Sequence, residues 1–127
     1  MTRYLEVEDL MHVLDWLAGP SATVRDGGLL VSALVRPRAQ LDGVDVYMSL
    51  GLKAAALLTS LAMTQPLMSN NLRAAWVATR LFCAANGAPL LVVEDDVVQT
   101  LGELVHGQLG LDALADRLGS WMTPGVL

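Results

Sequence analysis

The residues best equipped for chemistry lie near the middle of the chain, in Thr64-Gln65-Pro66-Leu67-Met68-Ser69-Asn70-Asn71-Leu72-Arg73-Ala74. This stretch is polar and turn-rich, and it runs straight into an apolar, helix-patterned segment. The first amides of a helix have no intrahelical acceptor, and the macrodipole is positive there. Such a start is a ready anion site, and Arg73 places a planar guanidinium fork beside it. The pattern supports a phosphate-binding loop. It also supports the commoner alternative, an ordinary helix–helix connection with Asn71 as N-cap.

Other reactive side chains carry less. Cys83 sits in an apolar stretch with no His or Lys close in sequence, which reads as a small buried hydrophobe. His106 has no second His and no carboxylate at ligand spacing, so a metal site there is not expected. His12 and Trp16 fall on one helix, where a packed Trp and a surface or core His are the ordinary readings.

Six helices and one hairpin must position the central loop. Val7, Leu10, Met11, Leu14 and Leu17 recur at helical spacing, Glu6, Glu8 and Asp9 suit the start of that helix, and Gly19-Pro20 stops it. Asp26 caps a second helix through Leu29, Leu30, Ala33 and Leu34, which Pro37 ends. Gln40-Leu41-Asp42-Gly43-Val44-Asp45 has Asp-Gly between alternating residues, a strong hairpin signal. A lone two-stranded hairpin is marginal in water, so this one must lean on the body or await another strand. Leu50 to Met63 is apolar nearly all round and is expected at the centre. Leu72 to Ala85, carrying Trp76, Val77, Leu81 and Phe82, reads as a second buried helix stopped by Asn86-Gly87. Ala88 to Val93 is a short extended piece. A helix from Glu94 or Asp95 to Val105 follows, broken by Gly110. Asp112 opens the last helix, with Leu114, Leu118 and Trp121 on one face, and the tail from Pro124 is expected to fray.

The 127 residues predict one domain spanning 1–127. The chain is 54% hydrophobic and only 17% charged, so part of its apolar surface is expected to be covered by a partner or by self-association into a homo-oligomer. Its net charge is −5 and it has no long basic tract, which argues against nucleic acid as a partner. A single cysteine excludes an internal disulfide and fits the cytoplasm. The N-terminus lacks the apolar core of a signal peptide, and no apolar run approaches a membrane span.

In order, these parts resemble the Fic/Doc family, and specifically its Doc (death-on-curing) toxin branch, from about Tyr4 to Met122. The landmarks are Val24-Arg25-Asp26-Gly27-Gly28-Leu29-Leu30, then Arg36-Pro37, the Asp-Gly hairpin, Lys53-Ala54-Ala55-Ala56-Leu57-Leu58, Asn86-Gly87 and Leu114-Ala115-Asp116-Arg117-Leu118. The resemblance implies an all-α, Fic-like bundle with one hairpin flap. The family's core motif, His-Pro-Phe-x-Asp-Gly-Asn-Lys-Arg, falls on Gln65 to Arg73. Pro66, Asn71 and Arg73 match. Gln65 replaces the catalytic His, Ser69 the metal-binding carboxylate or amide, Asn70 the small residue and Leu72 the lysine; Leu67 stands in for Phe.

Family members transfer a phosphate-containing group from a nucleotide to a protein hydroxyl. The resemblance thus implies ATP with Mg as cofactor, phosphate contacts from Asn70, Asn71, Leu72 and Arg73, and metal binding at Ser69. It implies that Gln40, Leu41, Asp42, Gly43, Val44 and Asp45 form a flap that holds a target protein, and that an antitoxin helix is a partner. The substitutions change that chemistry. Glutamine is not a usable base, and loss of a general base costs about 10²–10⁴ in rate. Ser69 is a neutral ligand where a hard cation prefers charged oxygen. The expectation is a toxin-family protein that acts mainly by binding, with weak phosphate or nucleotide affinity centred on Arg73. Two alternatives stay open. One is an active enzyme with altered chemistry, either a transferase that uses His12, Asp42 or Asp45 as a replacement base or a recruited reaction on a small molecule. The other gives Arg73 only an ion pair with Asp42 or Asp45.

Overall fold

Ser49 starts the helix around which the others are laid. Its Oγ accepts a hydrogen bond from the Leu52 N–H at 3.1 Å, capping α3 (Leu50–Thr64). Ala54, Ala55, Ala56, Leu57 and Leu58 of α3 are all buried. The alanines leave room for neighbours to approach from several sides, and each buried leucine contributes about 1.5–3 kcal/mol. Gly51 shows how close one approach is: a Cβ there would lie 3.0 Å from the Ala115 carbonyl oxygen, so a larger residue would require the backbone of α6 (Leu111–Trp121) to give by a few tenths of an ångström. The computed structural model describes residues 1–18 and 23–124.

α4 (Asn71–Ala85) packs along α3, and α1 (Val7–Ala18) packs on α4, burying Leu10 and Leu14. α2 (Gly27–Val35) crosses α3 and is capped by Asp26, whose Oδ1 accepts from the Leu29 N–H at 3.0 Å. α5 (Glu94–Val105) is tied to α6 by Arg117, which donates to Glu103 at 2.6 Å and to Thr100 at 3.1 Å. The extended piece pairs with the end of α6 through the Leu90–Met122 bridge and a Leu91 N–H to Trp121 carbonyl bond of 2.8 Å. The fold is all-α with one hairpin, as the sequence predicts, and no described helix is long and apolar enough to cross a membrane.

The hairpin joins β1 (Gln40–Leu41) to β2 (Val44–Asp45), with Gln40 opposite Asp45 and Leu41 opposite Val44. Asp42 and Gly43 both have positive φ, +53° and +79°, the primed turn that Asp-Gly favours. The hairpin leans on the body through Lys53. That ammonium is buried on α3 and donates to Asp45 at 2.9 Å and to the Tyr4 hydroxyl at 3.0 Å. Desolvation pulls the Lys53 pKa down, but its bonds to Tyr4 and Asp45 outweigh this and hold it above its ordinary value. The hydrogen bonds from Lys53 and then Gln40 hold the Asp45 carboxyl below its usual range.

Several sequence expectations are corrected. Trp16 is not packed; it is 82% exposed, because it shares the polar face of α1 with His12. Leu81 is exposed as well, on the side of α4 turned toward α1. α5 ends at Val105 near Gly107, whose φ is +72°, rather than at Gly110, which instead precedes α6. Pro37 does not end the helical path at once: Arg36–Arg38 form a 3-10 turn beyond α2. The Gly19-Pro20 stop lies outside the described residues, as does the end of the tail.

Candidate anion and docking site

α3 ends at Thr64, and Gln65 follows in the left-handed region with φ +51° and ψ +61°. That conformation costs a non-glycine residue about 1–2 kcal/mol, so its surroundings must hold it. Arg25 does so. Its Nε donates to the Gln65 carbonyl at 2.8 Å and its Nη2 to the Thr64 carbonyl at 2.9 Å. The cation thereby sits at the negative end of α3. The backbone around Arg25 runs antiparallel to the loop. Val24 bridges Leu67, the Arg25 and Asp26 N–H groups donate to the Pro66 carbonyl at 2.7 and 3.0 Å, and Met68 N–H donates to the Thr23 carbonyl at 3.0 Å.

Asn71 was expected as N-cap, and it is not. Asn70 occupies that position with φ +60° and makes no side-chain cap. The left-handed turn at Asn70 swings the Asn71 side chain back onto Leu67. There Oδ1 accepts from the Leu67 N–H at 2.8 Å and Nδ2 donates to the Leu67 carbonyl at 3.0 Å. Asn71 therefore spends its side chain on the shape of the loop. The first backbone bond of α4 is Ala74 N–H to the Asn70 carbonyl, 2.9 Å. The N–H groups of Asn71, Leu72 and Arg73 have no acceptor among the described residues, the condition an anion would relieve.

These three residues, with Asn70, form one end of an open cleft of about 830 Å³ between α4 and α5. Its walls are mainly apolar: Trp76, Val77, Val92, Val97, Val98 and Leu101. Arg73 and Arg80 stand on the α4 side and Glu94 opens the α5 side. The two arginines are two helical turns apart, about 10.5 Å along the axis. Neither has a side-chain partner among the described residues. Five of the other cations are engaged: Arg25 on helix carbonyls, Arg36 on Tyr47 and Ser60, Arg38 on Glu6, Lys53 on Asp45, and Arg117 on Glu103.

The remaining sequence candidates are scattered. Gln65 is exposed and does not line the cleft. Ser69 borders a separate small crevice with Leu14, Leu17, Thr23 and Leu67. Those neighbours bring no charged oxygen, and no group of three or more His, Cys, Asp or Glu could hold a metal among the described residues, so the donor set does not fit magnesium. Arg73 makes no ion pair with Asp45, which is taken by Lys53, nor with Asp42. His12 lies in another groove, between α1 and α4, with Asp9, Val13 and Trp16. Neither it nor the flap carboxylates line the cleft. Cys83 is fully buried, and burial pushes its thiol up to about 12, which suits packing and not reaction.

Two contributors were missed from sequence. Arg25 acts 40 residues from its partner Gln65, beyond any local pattern. Arg80 was legible in principle, since Arg73, Val77 and Arg80 share a helix face at spacings of four and three.

No family model matches the chain. Among curated proteins it is similar to the Toxin Doc of Mycolicibacterium smegmatis, with 38% identity over 123 residues that cover 95% of each chain. Likeness of that degree over nearly the whole length, on a fold of six helices and a hairpin, makes this chain a member of the Doc toxin family.

Proposed function

We propose that this protein is a toxin-family pseudoenzyme that acts by binding. It engages an antitoxin-like helix or a former target protein along the cleft between α4 and α5. It takes phosphate or nucleotide weakly at the start of α4, through the amides of Asn71 to Arg73 and the Arg73 guanidinium. The reading rests on one contrast. Gln65 stands where the family keeps its base, whereas Arg73 and Arg80 have no side-chain partner among the described residues and border an apolar cleft. An occupant with acidic residues about two turns apart and apolar residues between would match that surface. A partner of this kind would also cover the exposed Val98 and the free amides, and would compete with phosphate. The family resemblance makes the cytoplasm the expected compartment.

The test is a pull-down from the native host with the wild-type chain and with Arg73→Glu/Arg80→Glu. A stable partner retained by the first and lost by the second supports the reading; no stable partner overturns it. Calorimetry with ATP and magnesium tests the anion half, and no heat at millimolar ligand removes it.

A second reading, an active enzyme with altered chemistry, draws support from Glu94, which brings a carboxylate into the cleft that holds the Arg73 amide. Incubation with radiolabelled ATP and host lysate separates the two. Labelled protein that disappears with Arg73→Ala and Glu94→Gln would favour the enzyme.

A further inference from the structure

We infer that Arg25 is the positioning residue of the anion loop: its guanidinium, bridging the Thr64 and Gln65 carbonyls, sets the backbone turn that presents the free amides of Asn71 to Arg73. The inference rests on the reading of that helix start as a phosphate site.

The geometry carries it in three steps. Gln65 holds a positive φ that glutamine seldom adopts, and the Arg25 fork grips the carbonyls on either side of it at 2.9 and 2.8 Å. The strand-like pairing of Val24 with Leu67, and of Met68 with Thr23, carries the chain from that turn to the buried Leu67. The Asn71 side chain then latches onto both polar groups of Leu67 and fixes where α4 begins. Arg25 holds the upstream end of this chain of contacts and Asn71 the downstream end. A lysine would not replace the arginine. Its ammonium is a point donor, whereas two successive carbonyls call for a planar fork.

The test uses amide hydrogen exchange and titration with inorganic phosphate on the full chain. In Arg25→Ala, exchange at Leu67 and Met68 is expected to speed up about tenfold or more, and phosphate affinity to fall about tenfold, with helical circular dichroism unchanged. Arg25→Lys should recover neither. Adding Gln65→Gly to Arg25→Ala should recover most of both, because glycine enters the left-handed region without the steric cost. That rescue separates positioning of the turn from a general loss of stability. Unchanged exchange at Leu67 and Met68 in Arg25→Ala would overturn the inference, as would a failure of Gln65→Gly to rescue. If Arg25→Ala does not fold, the comparison is made on Arg25→Lys with and without Gln65→Gly. A wild-type chain that takes no phosphate would remove the anion reading, and the exchange measurements would still decide the role of Arg25.

Discussion

The motif loop and the flap are both irregular segments fastened to α3, but they are fastened by different chemistry. The loop from Gln65 to Asn71 is held by a guanidinium on carbonyls, by an amide side chain on Leu67 and by backbone pairing with residues 23–26. The flap is held by an ion pair between buried Lys53 and Asp45, reinforced by Tyr4 and Gln40. The difference separates a shape held without an ion pair from one that depends on it. The loop's shape resides in contacts made by Arg25, Asn71 and residues 23–26, none of which uses the side chains of Gln65, Ser69 or Leu72. The flap's position depends on one charged anchor.

The strongest way to break that anchor is at Lys53. Lys53→Ala is expected to lower stability by about 2–3 kcal/mol, because it empties buried volume and strands the Tyr4 hydroxyl and Asp45. Denaturant melts give the total, and loss of exchange protection at Val46, whose N–H donates to the Ala39 carbonyl at 2.9 Å, localises it to the flap. Lys53→Met keeps most of the volume and is expected to cost less. If it costs almost nothing, packing and not the ion pair is the anchor.

The matching change in the loop is Asn71→Ala, which removes two hydrogen bonds from the buried Leu67 backbone and should cost about 1–2 kcal/mol. Asn71→Asp sharpens the comparison. It can still accept from the Leu67 N–H but cannot donate to the Leu67 carbonyl, and it sets a negative charge beside the free amides. It should therefore abolish phosphate binding even where the fold survives. A variant that binds phosphate as the wild type does would show that the anion sits elsewhere.

A pH titration separates the two fastenings without mutation. The Asp45 carboxyl lies below its ordinary 3.8 in the folded chain, so its contribution is fully present above that value. It is lost only as pH falls through the lower folded value. Val46 protection should fade in that acid window while Met68 protection persists. Glu103 behaves in the same way through its bond to Arg117, so the α5–α6 contact should loosen alongside the flap. Simultaneous loss at Met68 would mean that the loop is not independently held.

Most of the fold was legible because its signals are local. Helical periodicity marks α1, α3, α4, α5 and α6, Asp26 is a real cap, and Asp42-Gly43 is a real primed turn. The errors came from features that only tertiary structure decides. Asn70 and Asn71 are both good cap residues, and the sequence offers no way to tell that one turns left-handed while the other reaches back four residues. Residue type alone favours a packed Trp16, although its spacing from Asp9 and His12 puts it on the wet face of α1. For the candidate site, the sequence pointed to Asn70 to Arg73 but not to the cleft beside them. Its second wall comes from Val92, Glu94 and Val97, some twenty residues further on.

The smallest expected effect is also the most direct test of the proposed loss of the family's reaction. Gln65→His introduces the residue type that the family motif carries, in a turn whose backbone is already held, so misplacement of the backbone cannot be blamed if no activity follows. It leaves Ser69 among apolar neighbours with no charged ligand for a cation, and Leu72 without the charge that phosphate would favour. A base without electrostatic stabilisation of the departing phosphate supplies only one part of the barrier reduction. Transfer of label from radiolabelled ATP to host protein is therefore expected to stay within about threefold of the wild-type background, well short of the 10²–10⁴ a working base supplies. A single mutant revived by orders of magnitude would mean that Ser69 and Leu72 are tolerated, and that one residue separates this chain from an active transferase.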